Sequence, residues 1–237
     1  MRVLLGSGGI GTEERRTMYM DLISDHFRES DNVVFIPLAT HDHEGRTARL
    51  KESLGSMGAK FHGLNVDGGV GQVLAADGVY MGGGNSFLLN RDLHRYGLID
   101  ALRDVVKQGI PYLGVSAGSN VACPTMMTTN DMPIVMTPSY EALGIVPFQI
   151  NPHYYPGKIT FFSEGESIDH FGESRRQRIS EYHQHEAIPV LGLWEGSYVQ
   201  WDGSRGRLIG RARAFYRDLE PVDFEDGAMF DGSLTLK

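Results

Sequence analysis

A serine stands between two glycines in YLGVSAGSNVACP, residues 112–124. The apolar run ahead of it ends at Val115, and small residues follow. If the run is a strand and the small residues open a helix, Ser116 sits on the sharp turn that joins them. Its hydroxyl is then pushed out at the carboxyl end of a strand, where open α/β sheets bind ligands. The Ala117 amide would lie at the helix N-terminus and could donate to a developing oxyanion. The same pattern also suits plain strand–helix packing, with Ser116 as an N-cap. Gly114 and Gly118 serve either account. As a nucleophile, a serine hydroxyl needs a base, and the base needs an orienting acid.

Nine histidines are available as the base. His26 and His94 fall within helices read as amphipathic and are expected at the surface. His41 and His43 follow the second strand, at the ligand-binding end of the sheet, and His170, His183 and His185 lie in a polar region. His153 in FQINPHYYPG stands apart, because an apolar run ends in Asn-Pro just before it. Pro152 fixes its own φ and biases Asn151 to an extended conformation, which holds the histidine backbone at a strand end. A loop histidine without a role is the competing account.

A second glycine run, Gly82–Gly84 in YMGGGNSFLL, follows a strand and precedes a helix that begins near Asn85 and Ser86. Consecutive glycines let backbone amides converge on an anion, or simply make a turn. Gly6, Gly8 and Gly11 in LLGSGGIG match G-x-G-x-x-G after the first strand. A dinucleotide site wants an acid at the end of the second strand. That strand ends Pro37-Leu38-Ala39-Thr40 and the nearest acid is Asp42, so a nucleotide site is disfavoured.

The elements that must position these residues alternate along the chain. Strands are expected at 2–5, 33–38, 60–64, 78–81 and 110–115, with helices at 13–28, 44–57, 86–94 and 97–107. In the last helix, Leu98, Ile99, Leu102, Val105 and Val106 recur at the spacing of one helical face. Apolar runs alternating with helices indicate an α/β fold with a mostly parallel sheet covered on both faces. After residue 186, short segments separated by Gly and Asp read as β-hairpins attached to that sheet. The chain, residues 1–237, is expected to be a single domain.

A formal net charge of −8 and a pI near 5.6 argue against nucleic acid or an anionic membrane as the main partner. The single cysteine, Cys123, rules out an internal disulfide and a cysteine-based zinc site, and it fits a reducing cytoplasm. The apolar run near the N-terminus is too short for a signal-peptide core, and no apolar stretch is long enough for a transmembrane helix.

Taken in order, FIPLA, GGGNSF, GVSAGSNVACPT, TTNDMPIV, QINPHY, GESRRQRI and GLWEG resemble the peptidase E family, the aspartyl dipeptidases among serine peptidases. The motifs span residues 33–196; the C-terminal hairpins match loosely, and the stretch between His153 and GES is longer than in the shortest family members. The resemblance implies a flavodoxin-like fold related to class I glutamine amidotransferases. It implies Ser116 as nucleophile, His153 as base and Glu195 as the third triad member, with Asp131 as rival for the acid. Ala117 and Gly83 or Gly84 would supply the oxyanion hole. Arg175 would bind the substrate aspartate, with Arg178 or His170 as the next candidates, and Asp131 and Asn85 would join the substrate site. No metal or cofactor is implied. The substrate would be a small Asp-X peptide, and the enzyme a monomer or homodimer.

Three other readings compete with this one. A cyanophycinase-like hydrolase would share the fold. An amidotransferase-like enzyme needs a cysteine at the elbow, whereas Cys123 lies further along the helix and reads as a buried hydrophobe. A non-enzymatic small-ligand or nucleotide-binding module would use the glycine loops. The order Ser, His, Glu differs from that of the α/β-hydrolases, in which the acid precedes the histidine, and this weakens a lipase or esterase reading.

Overall fold

The computed structural model describes residues 1–170 and 172–237. Five short strands, β1 (Val3–Gly6), β2 (Val33–Ile36), β3 (Phe61–Gly63), β4 (Gly78–Met81) and β5 (Tyr112–Val115), form the parallel part of the main sheet. Side chains alternate across it with the two-residue period of a strand. Leu4, Val33, Phe35, Tyr80 and Leu113 pack with Tyr19, Ile23 and Phe27 on one face. Val3, Leu5, Val34, Val79 and Met81 face the larger cluster that contains Leu89, Leu102 and Val106. Helix α1 (Glu13–His26) covers the first face, and α3 (Gly69–Leu74), α4 (Ser86–Arg95) and α5 (Leu98–Lys107) cover the second. The helix between β2 and β3, α2 (His43–Ser53), stops short of the expected residue 57. A 3₁₀ stretch over Gly55–Lys60 replaces its last turn.

Sheet order places β1 beside β5, then β4, β2 and β3. The connections leave β2 in one direction and β4 in the other. The carboxyl ends of β1, β4 and β5 open onto one crevice, the usual ligand position in such flavodoxin-like sheets. Ser7, Gly82 and Ser116 each follow directly from one of these ends.

The helix expected after Ser116 is a single turn, α6 (Ala117–Asn120), because the chain then breaks into turns before Pro124. Beyond it, β6 (Gln149–Tyr154) is followed by an exposed hairpin of β7 (Thr160–Ser163) and β8 (Glu166–Asp169), then by α7 (Arg175–Tyr182). The C-terminal strands are β9 (Val190–Trp194), β10 (Tyr198–Trp201), β11 (Arg205–Ile209), β12 (Ala212–Tyr216), β13 (Leu219–Phe224) and β14 (Met229–Asp231). Only part of this region attaches to the parallel sheet as expected. β10, β11 and β14 extend it antiparallel from β1, while β9, β12 and β13 join β6 in a second, four-stranded sheet. β9 forms no hairpin with β10, the next strand; it runs parallel to β6 across a long crossover and antiparallel to β12.

His26 corrects its surface assignment. It is buried at the end of α1, and its Nε2–H donates to the Tyr112 carbonyl at 3.0 Å. Burial, then the charge of Arg2, lowers its pKa from 6.5 to about 4, against the opposing pull of the Tyr112 hydrogen bond. The fold therefore prefers the neutral ring, and the stability this contributes is complete above pH 6.5 and is lost as pH falls towards 4. Urea unfolding is expected to show up to about 3 kcal/mol of acid-induced loss from this group. His26→Gln, which keeps a donor and cannot charge, should flatten that part of the profile. An unchanged profile would place the acid sensitivity elsewhere.

Candidate active site

The turn carrying Ser116 is tight because the residues two positions before and after it are glycines. A Cβ on Gly114 would meet the Gly118 carbonyl, and one on Gly118 would meet the Met81 carbonyl. Both glycines are thus needed for α6 to lie against β5 and β4. Ser116 adopts φ 54° and ψ −110°, a backbone region that costs a non-glycine residue about 1–3 kcal/mol. The surroundings hold it there: its N–H donates to the Gly6 carbonyl at 2.9 Å, and its own carbonyl accepts from the Ser119 and Asn120 amides at 3.0 Å each.

Ser116 Oγ lies 2.7 Å from His153 Nε2, and His153 Nδ1 lies 2.6 Å from Glu195 Oε1. His153 is the bulge of β6, where pairing with β9 slips between Asn151 and Tyr154. Its φ is 58°, and this left-handed turn swings the imidazole out of the strand towards Ser116. Glu195 follows β9 in a turn closed by the Ser197 amide donating to the Trp194 carbonyl at 3.1 Å. Both side chains are partly open to solvent, 38% for His153 and 43% for Glu195.

Two glycines of the loop that resembled a nucleotide site, Gly8 of the motif and its neighbour Gly9, lie against His153 and Glu195 instead. A Cβ on Gly8 would stand 3.2 Å from His153 Cε1, and one on Gly9 would run into the Glu195 carboxylate. The Gly196 amide donates to the Gly8 carbonyl at 2.8 Å, which ties the loop to the turn bearing Glu195. The only signal for this role in the sequence was glycine density, which suits any close approach of backbone.

Asp131 does not reach His153. Its Oδ2 accepts from the Ser86 amide at 2.7 Å and from Thr129 Oγ1 at 3.1 Å, so it caps the start of α4. Asn85 shares that cap: its Oδ1 accepts from the Leu88 amide at 3.1 Å, and its Nδ2 donates to the Met132 carbonyl at 2.9 Å. Gly83 lies against the nucleophile, with a Cβ position 3.2 Å from Ser116 Cβ, whereas Gly84, at φ 144°, packs on Ala39. Among the described residues the Gly83, Gly84 and Ala117 amides donate to no protein acceptor.

Arg175 and Arg178 fall into different environments although three residues apart. Arg178 is exposed and pairs with Glu173 at 3.3 Å. Arg175 is half-buried and forms no hydrogen bond or ion pair among the described residues. Burial, then the neighbouring Arg178, holds its guanidinium below the ordinary arginine value, and the Asp131 carboxylate opposes the shift. His170 turns to its own loop, where its Nδ1 accepts from the Gly172 amide at 2.9 Å.

Cys123 is fully buried, and burial pushes its thiol far above the ordinary cysteine value, which leaves it unreactive at neutral pH. Among the described residues no group of three or more His, Cys, Asp or Glu could hold a metal ion, and no helix is long and apolar enough to cross a membrane. A cavity of about 770 Å³ between α7 and the β12–β13 hairpin is lined by none of the site residues.

A serine on the turn after a parallel strand, in line with a histidine on β6 and a carboxylate after β9 of the adjoining sheet, is the frame of a hydrolase. The family model for "Peptidase family S51" matches residues 3–209. "Peptidase E" of Streptomyces coelicolor is 41% identical over 224 residues, which is 92% of this chain and 88% of that protein. "Probable alpha-aspartyl dipeptidase" of Drosophila melanogaster is 39% identical over 196 residues, 81% of this chain and 79% of the other. The crystal structure of a peptidase from an acI-B1 actinobacterium superposes with a TM-score of 0.66 at 16% identity, covering 97% of this chain and 96% of that one. The chain belongs to peptidase family S51, and it is a serine-type peptidase.

Proposed function

We propose that the enzyme hydrolyses dipeptides with N-terminal aspartate through an acyl-enzyme on Ser116. The observation that carries this reading is the continuous contact from Ser116 Oγ through His153 to Glu195, at 2.7 and 2.6 Å. His153 Nε2 takes the hydroxyl proton as Oγ attacks the peptide carbonyl, and Glu195 keeps the ring in the tautomer that can receive it. The Ala117 amide and that of Gly83 or Gly84 hold the oxyanion. Collapse of the intermediate returns the proton to the leaving amine, and water deacylates Ser116 by the same route.

Substrate choice follows from Arg175. An unpaired, half-buried guanidinium offers a planar fork to a carboxylate, and a substrate aspartate side chain would restore the partner it lacks. Asp131, engaged on Oδ2 alone, keeps an oxygen for the free α-ammonium group. The name of the Drosophila relative points the same way.

Assays on Asp-X, Glu-X, Asn-X, β-aspartyl-X and N-acetyl-Asp-X test the reading. Turnover is expected with Asp-X carrying a free amine and to be strongly reduced with the others. Rapid cleavage of the acetylated peptide would overturn the dipeptidase reading. Preference for β-aspartyl-arginine would favour the cyanophycinase-like one.

A further inference from the structure

Two polar side chains from distant parts of the chain meet the peptide group that precedes His153. On one side, Asn130 Nδ2 donates to the Pro152 carbonyl at 2.8 Å. On the other, the His153 N–H donates to Ser7 Oγ at 2.7 Å. We propose that Ser7 and Asn130 are positioning residues for His153, gripping the Pro152–His153 peptide by both of its polar atoms. The inference rests on the relay from Ser116 to Glu195 being catalytic.

The need for such a grip lies in the backbone. His153 is held at φ 58°, and that torsion decides where its ring goes. Relaxation to negative φ would rotate the peptide plane and carry the imidazole away from Ser116. A plane held at one atom can still pivot about that contact, whereas one held at both oxygen and nitrogen cannot. Pro152 has no N–H of its own, so its carbonyl is the only polar atom the bulge offers on that side. Asn130 is itself fixed, because its Oδ1 accepts from Asn151 Nδ2 at 2.8 Å.

Ser7 does a second job with the same hydroxyl. Having accepted from His153, it donates to the Leu193 carbonyl at 3.1 Å, and its amide donates to the Ser197 carbonyl at 3.0 Å. Those two carbonyls flank Glu195. One fully buried serine therefore sets base and acid relative to each other, out of reach of competing water.

The test compares the rate at which a fluorophosphonate labels Ser116, together with kcat and KM on Asp-Leu, in Ser7→Ala, Asn130→Asp, Ser7→Thr and His153→Ala. Asn130→Asp keeps the size of the side chain and its acceptor for Asn151 but removes the donor facing Pro152. Labelling and kcat are expected to fall by about 10- to 100-fold in Ser7→Ala and Asn130→Asp, with KM within about twofold, as for a small misplacement of a reacting group. Ser7→Thr, which restores the hydroxyl, should recover most of the loss. If Ser7→Ala does not fold, Asn130→Asp carries the same comparison. Labelling at the parent rate in the folded variants, while His153→Ala labels slowly, would overturn the grip and leave the relay standing. Labelling of His153→Ala at the parent rate would overturn the relay, and the grip with it.

Discussion

Replacing Ser116 with Ala is expected to lower kcat for Asp-Leu by on the order of 10⁴- to 10⁶-fold, and His153→Ala by a similar factor. The double variant should be worse than either single one by no more than a few-fold. The reason is the 2.7 Å contact between Oγ and Nε2: without the base the hydroxyl stays protonated, and without the hydroxyl the base has nothing to activate. Steady-state rates of the three variants, normalised by fluorophosphonate titration of the parent enzyme, decide the matter. Losses that multiply in the double variant would mean that the two residues act in separate steps. Glu195→Gln should lie between the parent and these variants, because the neutral amide still fills the place beside Nδ1 but no longer favours an imidazolium. Melting temperature is a useful control. Ser116→Ala keeps the strained turn and removes only the half-buried hydrogen bond to His153, so stability should move little while turnover collapses.

The parallel strands were legible because each is a short apolar run ended by glycine, proline or a small residue, and the four longest are buried throughout except at Val115, the last residue of β5. The second sheet was not, since β6 and β9 pair across a crossover that no local pattern announces. The β7–β8 hairpin was also missed: its exposed Phe161 and Phe162 are consecutive rather than alternating with polar residues. His26 misled because α1 shows little division into apolar and polar faces. What buries the ring is the start of β5, met only in three dimensions. At the site, the serine, the histidine and the glycines carried local signals. The choice between Glu195 and Asp131 did not, because either carboxylate can accept an imidazole N–H. Distance separates them, with Glu195 on the ring and Asp131 on the end of α4. Ser7 and Asn130 had no signal at all. A serine among glycines reads as loop, and its meaning lies in contacts with residues 153 and 193, far along the chain.

Arg175→Ala is expected to lower kcat/KM for Asp-X by roughly 30-fold to several thousand-fold, the range for removing one partner of a desolvated charge pair at about 2–5 kcal/mol. Two features set this arginine apart from Arg178, one turn further along α7. It is half-buried while Arg178 is exposed, and it lacks a carboxylate partner where Arg178 has Glu173. The protein leaves its charge partly compensated by Asp131, which lies near enough to oppose the effect of burial on the guanidinium. In the proposed complex a substrate carboxylate would complete that compensation, which an asparagine side chain could not do. Discrimination between Asp-X and Asn-X should therefore shrink in the variant, chiefly because the aspartyl substrate loses its advantage. Arg175→Lys should recover little, since a lone ammonium cannot reproduce the two-pronged match to a carboxylate. Fluorophosphonate labelling of Ser116 should continue at the parent rate in both variants, because the reagent makes no demand on the side-chain pocket. If Arg175→Ala cleaves Asp-Leu as well as the parent does, the aspartate is read by another cation, and Arg178, released from Glu173, is the next to replace.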